Sequence, residues 1–156
     1  MQLFPIDPRK ALGALLVALQ FGCMLTLPLL AAPALRAGAF APPALLLLAA
    51  SAALFFWTLM HNRLGNFNIR PIPKPFGTLV TSGPYRWIRH PMYSAVLLGA
   101  AAMACMAEPL PGWSVWGFLA VVLFVKALFE ERWMRAQHAL YATYCAHSKR
   151  FVPLIF

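Results

Sequence analysis

Four stretches of this chain carry no charged residue: Ala11–Leu35, Ala37–Met60, Pro91–Ala107 and Pro109–Val125. An α-helix rises about 1.5 Å per residue, so crossing a hydrocarbon core of about 30 Å takes about 20 residues. The first two runs exceed that length, and the second is densest from Ala44 onward. The last two sit at the short limit. They reach across only if flanking residues extend them: Trp87 and Ile88 before the third, the snorkelling stem of Lys126 after the fourth. The expected fold class is all-α, an integral membrane bundle of four transmembrane helices in one domain, 1–156.

Composition agrees with this reading. Of 156 residues, 62% are hydrophobic and 11% charged, against about half and about a quarter in a soluble domain. A disordered chain, a nucleic-acid tail and an ordinary soluble domain are excluded. Thirteen Lys and Arg face four acids, Asp7, Glu108, Glu130 and Glu131, for a net charge of +9. In a membrane chain that excess reads as basic loops on anionic lipid, with no nucleic-acid partner. Arg9 and Lys10 precede the first run as they would in a signal peptide, but the run is too long for a secretory hydrophobic region of about 7–15 residues. A retained first helix is expected. Cys23, Cys105 and Cys145 are widely spaced and form no CxxC, so inert thiols are expected and neither a disulfide framework nor a metal site.

Basic residues also set an orientation. Arg9 and Lys10 precede the first run, Arg36 stands alone after it, and Arg63, Arg70, Lys74, Arg86 and Arg89 crowd the second loop. The third loop has Glu108 and no base, and the tail has Arg132, Arg135, Lys149 and Arg150. That alternation puts both termini and the second loop in the cytoplasm. The second loop, His61 to His90, is rich in breakers: Pro71, Pro73, Pro75, Pro84, Gly65, Gly77 and Gly83. Beyond Glu131 the chain turns amphipathic, with Trp133, Leu140, Tyr141 and Tyr144 near one helical face. A C-terminal amphipathic cytoplasmic or interfacial helix is expected there.

Three groups of residues could carry chemistry. The first is Gly83-Pro84-Tyr85-Arg86-Trp87-Ile88-Arg89-His90-Pro91-Met92-Tyr93. Pro91 suits the first turn of a helix, whose free N–H groups and partial positive charge favour anions. A positive-inside anchor with an aromatic belt also explains Arg86, Trp87 and Arg89. The second is Glu130-Glu131, where like charges repel each other and the helix C-terminus repels both. Something cationic must compensate, whether Arg132 and Arg135 on a solvated face, Arg86, Arg89 and His90 across the bundle, or a ligand. Neighbours on a helix point about 100° apart, so one glutamate can face a ligand while the other binds an arginine. The third group is Tyr141, Tyr144, Arg150 and Pro153, which packing and tail anchoring also explain.

In order, Arg89-His90-Pro91-Met92-Tyr93, Glu130-Glu131, Tyr141-Ala142-Thr143-Tyr144 and Arg150-Phe151-Val152-Pro153 resemble the isoprenylcysteine carboxyl methyltransferase family of integral membrane methyltransferases. Leu64-Gly65-Asn66-Phe67 and Leu79 to Tyr85 add to the likeness, which covers about residues 57–153. Two departures stand out: Gln137-His138 where members commonly carry Phe-Gly, and Ser94 where a glycine often follows the motif tyrosine.

The resemblance implies S-adenosylmethionine as methyl donor. It assigns His90, Pro91, Tyr93, Glu130, Glu131, Tyr85 and Tyr144 to the cofactor, and Arg150, Arg89 and Glu130 to catalysis. It implies a hydrophobic or lipid-like methyl acceptor, foremost the carboxyl of an isoprenylcysteine-like substrate. A phospholipid amine or a small thiol is the alternative acceptor. An NADPH-dependent membrane reductase and a non-enzymatic membrane subunit are alternatives of other kinds. Few polar groups interrupt the runs (Gln20, Thr26, Ser51 and Thr58), which disfavours an ion path.

Overall fold

A computed structural model describes residues 8–62 and 78–155. Among these the chain is helical: α1 (Pro8–Arg36), α2 (Pro42–His61), a 3-10 turn (Gly83–Arg86), α3 (Pro91–Met106), α4 (Pro109–Gln137) and α5 (Tyr141–His147). Leu64 to Phe67 and the rest of 63–77, half of the breaker-rich loop, lie outside the described residues. No strand forms among the described residues; one parallel bridge pairs Ile88 with Lys149.

Three helices are long and apolar enough to cross a membrane, Lys10–Arg36, Pro42–His61 and Pro109–Gln137. At 16 residues, α3 rises only about 24 Å. Two expectations about the short runs are corrected. Trp87 and Ile88 do not extend α3, because Pro91 is its first residue and Ile88 is taken by the bridge to Lys149. The fourth run is not short, because α4 continues 12 residues past Val125, to Gln137. Lys126 does not snorkel: it is 2% exposed, with its ammonium donated to the Gln20 side chain of α1.

The bundle is apolar outside, and many of the residues it buries are small. Leu25, Leu29, Leu46, Phe56, Met60 and Val121 point outward, while Ala31, Ala44, Ala95, Ala102 and Ala104 are buried. Hydrocarbon solvates large side chains well, so helices in a membrane gain most by close contact through small ones. The contacts are made by α2 on α3, and by α1 and α3 on α4. Isolated polar groups bond to neighbouring backbone: Ser51 donates to the Ala95 carbonyl (2.8 Å) and the Trp116 indole to the Leu97 carbonyl (2.9 Å). Where α3 turns into α4, Gly112 lies so close that an added Cβ would stand 3.0 Å from the Ala104 carbonyl oxygen. Pro28 and Pro33 lie inside α1 without ending it, as neighbouring helices in a membrane permit.

The amphipathic segment past Glu131 is not one helix. Trp133 belongs to α4, His138 leaves helical geometry (φ −121°, ψ 110°), and α5 begins only at Tyr141. Leu140 is therefore exposed while Tyr141 is buried. Of the three thiols, Cys23 is buried and Cys105 and Cys145 half-buried, all free.

Candidate active site

Two backbone devices bring the three sequence groups together. The first is the turn before α3. Gly83 adopts φ +58°, and a Cβ there would stand 2.3 Å from the His61 ring, so only glycine fits. The turn presents Tyr85, whose hydroxyl accepts from Asn62 (3.0 Å) and whose carbonyl accepts from the Tyr144 hydroxyl (2.7 Å). The second device is the return of the tail. Arg89 N–H donates to the Lys149 carbonyl (2.7 Å), His90 N–H to the Arg150 carbonyl (3.0 Å), and Lys149 N–H to the Trp87 carbonyl (2.8 Å). That clip sets Arg150 beside Arg89 and brings Phe151 over the start of α3, where its ring lies 5.8 Å from His90. Ser94, one of the two departures, donates its hydroxyl to the Phe151 carbonyl (2.7 Å), a bond glycine would not make.

At the centre is Glu131, 3% exposed. Its Oε1 accepts from Arg89 Nε (3.0 Å), from Arg150 Nε (3.0 Å) and from His90 Nε2 (3.3 Å). Oε2 accepts from Arg150 Nη2 (3.2 Å), so the Arg150 fork is bidentate. Arg89 also donates to the Cys145 and Ser148 carbonyls. A buried carboxylate persists only when paired and hydrogen-bonded, and two guanidiniums and an imidazole supply both.

Glu130 is in a different situation. It is 20% exposed, accepts from the Tyr93 hydroxyl and lies 3.6 Å from His90 Nδ1, beyond hydrogen-bond reach. The two glutamates therefore point apart, one into the arginines and one toward the open side. His90 bridges them and stacks on Tyr93 at 5.5 Å, with planes 5° apart. Burial pulls the His90 pKa down, but the two carboxylates beside it, Glu130 in ion-pair contact and Glu131 in a hydrogen bond, outweigh it and leave it raised. Burial, partly opposed by the Asn62 bond, pushes the Tyr85 pKa up to about 12, and burial pushes the Tyr144 pKa far above its usual range. Both tyrosines stay neutral donors at physiological pH.

The structure thus gathers His90, Tyr93, Glu130, Glu131, Arg89 and Arg150 in one cluster, with Pro91 starting α3 beneath it. Tyr85 and Tyr144 are bonded to each other one step away. Sequence reasoning missed Asn62, Ser94 and the Ser148 carbonyl as supports. Ser94 alone carried a signal, as the departure after the motif tyrosine.

Residues 43–140 match the family described as phospholipid methyltransferase. The match takes in α2, α3 and α4, and leaves α1, α5 and Arg150 outside. The chain is also similar to the cobalt-zinc-cadmium resistance protein CzcN of Cupriavidus metallidurans, 37% identical over 78 residues. That stretch is 49% of this chain and 36% of the relative, so the match spans about a third of CzcN. No solved structure matches. The matching family lies within the isoprenylcysteine carboxyl methyltransferase-like group of integral membrane methyltransferases, the group that the Arg-His-Pro-x-Tyr and Glu-Glu motifs resemble. With more than half of its residues in the match, this chain belongs to the phospholipid methyltransferase family.

Proposed function

We propose that the protein transfers a methyl group from S-adenosylmethionine to a hydrophobic, membrane-partitioned acceptor at the α3–α4 cluster. The observation that carries this reading is the divergence of Glu130 and Glu131. Two guanidiniums and the His90 imidazole hold Glu131 in place, while Glu130 keeps accessible acceptor capacity beside His90 and Tyr93. This donor set fits the cofactor. Glu130 can accept from ribose hydroxyls or pair with an ammonium group. The free N–H groups of the first turn of α3 suit a carboxylate. His90, Pro91, Tyr93, Glu130, Glu131, Tyr85 and Tyr144 form the binding wall, with Glu131, Tyr85 and Tyr144 acting as its supports.

When bound, S-adenosylmethionine supplies an electrophilic methyl group that a nucleophile takes as the C–S electron pair returns to sulfur. The protein's share is alignment and exclusion of water. Arg150, partly exposed, orients an anionic acceptor, and Arg89 positions it by fixing Glu131. An excess of cations over carboxylates supports an anionic acceptor: Arg89, Arg150 and Lys126 stand against Glu130 and Glu131. A carboxylate needs no base, so carboxyl O-methylation of an isoprenylcysteine-like molecule is the leading acceptor chemistry. A phospholipid amine is the second reading, favoured by the family description. It requires loss of a proton from nitrogen, for which Glu130 is the nearest accessible carboxylate.

In this reading α3 completes four spans, and both termini and the cluster face the cytoplasm, as the basic loops require. α5 lies at the interface, and the acceptor enters sideways from the bilayer. The test is S-adenosylhomocysteine binding by the purified chain in detergent, seen as a thermal shift. Glu130→Ala and His90→Ala weaken it if the reading holds. Binding of NADPH in place of S-adenosylhomocysteine overturns it.

A further inference from the structure

The first helix lies outside the stretch that matches the family, yet it sends a polar side chain toward the cluster. Lys126 of α4, buried, donates its ammonium to Gln20 Oε1 of α1 and stands 5.2 Å from the centre of the Tyr93 ring. Tyr93 donates its hydroxyl to Glu130, one turn beyond Lys126 on the same helix. Gln20 is itself steadied by its amide nitrogen, 3.8 Å from Met24 Sδ. The line Gln20–Lys126–Tyr93–Glu130 thus joins α1, α4 and α3 and ends on the partly exposed carboxylate.

Ionisable groups inside a membrane bundle are costly and tend to mark function. Adhesion between α1 and α4 does not require one, since Cys23, Leu27, Leu119 and Leu123 already pack there. A cation over an aromatic face favours one placement of the ring, and the ring's placement sets where its hydroxyl meets Glu130. Resting on the methyltransferase reading above, we propose that Lys126, locked by Gln20, is a positioning residue of the cofactor site. It holds Tyr93, and through the Tyr93 hydroxyl the Glu130 carboxylate, in binding geometry. α1 is then a support of the site as well as a span.

The experiment is S-adenosylhomocysteine titration of the full chain in detergent, with the unfolding temperature of each ligand-free variant. Replacing a buried charge by an apolar side chain of similar length is often neutral or stabilising for a fold, so packing alone predicts no loss of affinity in Lys126→Met. The proposal predicts a loss of about tenfold at an undiminished unfolding temperature, largely recovered in Lys126→Arg, which keeps the cation. Gln20→Leu loses about threefold, and the double variant binds no more weakly than Lys126→Met alone, because both act through one contact. Wild-type affinity in Lys126→Met and Gln20→Leu overturns the proposal, and so do losses that simply add. If Lys126→Met does not fold, wild-type affinity in Gln20→Leu suffices to overturn it. Failure of the underlying reading looks different: the wild-type chain itself ignores S-adenosylhomocysteine, and this proposal falls with it.

Discussion

Where α3 turns into α4, the bundle is closed by Gly112 against the Ala104 backbone and by the buried cluster of Ala31, Ala44, Ala102 and Met106. At the opposite end, where α4 leaves the bundle, Arg89, Arg150 and His90 converge on Glu131, and Glu130 stands beside them. The first end gains from close apolar contact alone, which tolerates lipid on every side. The second concentrates groups that each cost free energy to bury unless a partner is present. Small residues therefore define the shape of the bundle, and the charged end is where binding and selectivity can be built.

The largest effect should come from removing the hub of the charged end. Glu131→Gln leaves Arg89, and the partly exposed Arg150, without their counter-charge, a loss of about 3–5 kcal/mol for breaking such a buried pair. Thermal unfolding in detergent should show a large drop, with the clip between 87–90 and 148–151 exchanging its amide hydrogens sooner. Gly112→Ala tests the other end. Its Cβ would crowd the Ala104 carbonyl oxygen at 3.0 Å, costing about 1–3 kcal/mol as an overpacked contact. Ligand affinity should not move, and a fall in affinity equal to that of a charged-end variant would erase the contrast between the ends.

Smaller changes sharpen the contrast. Ser94→Ala removes the hydrogen bond to the Phe151 carbonyl, a net loss of about 1 kcal/mol, read as a modest fall in unfolding temperature. The weakest signal is a pH slope. The His90 pKa is raised on folding, so its contribution is fully present below the unfolded value of about 6.5 and fades as pH rises through the folded value. The wild type should lose unfolding temperature as pH climbs above about 6.5 more steeply than His90→Phe does. Parallel slopes would remove His90 from the account.

Much of this architecture was legible in the chain. The uncharged runs announced apolar helices, and the electrostatic awkwardness of Glu130-Glu131 announced that cations must meet them. Three things were not legible, each for a physical reason. Lys126 looked like the end of a span because its partner, Gln20, is 106 positions away and no local pattern links them. The break at His138 carries neither glycine nor proline, so no breaker residue marked the α4–α5 boundary. The third is the sharing of Glu131 by both arginines. It depends on the register of 148–151 against 87–90, which comes from backbone hydrogen bonds that any residue but proline can make. The motifs named the residues that the structure brings into one cluster, and the tail clip fixes how Arg150 joins it.

The central claim is that adjacent carboxylates divide two tasks, Glu131 organising the end of the bundle and Glu130 meeting the cofactor. The most direct measurement is the S-adenosylhomocysteine affinity of wild type and Glu130→Gln, each with its ligand-free unfolding temperature. The account predicts that the wild type binds and that Glu130→Gln loses tenfold or more, about 1.4 kcal/mol, while its unfolding temperature stays near that of the wild type. A Glu130→Gln protein that binds as well as the wild type would contradict the claim, as would a wild type that does not bind.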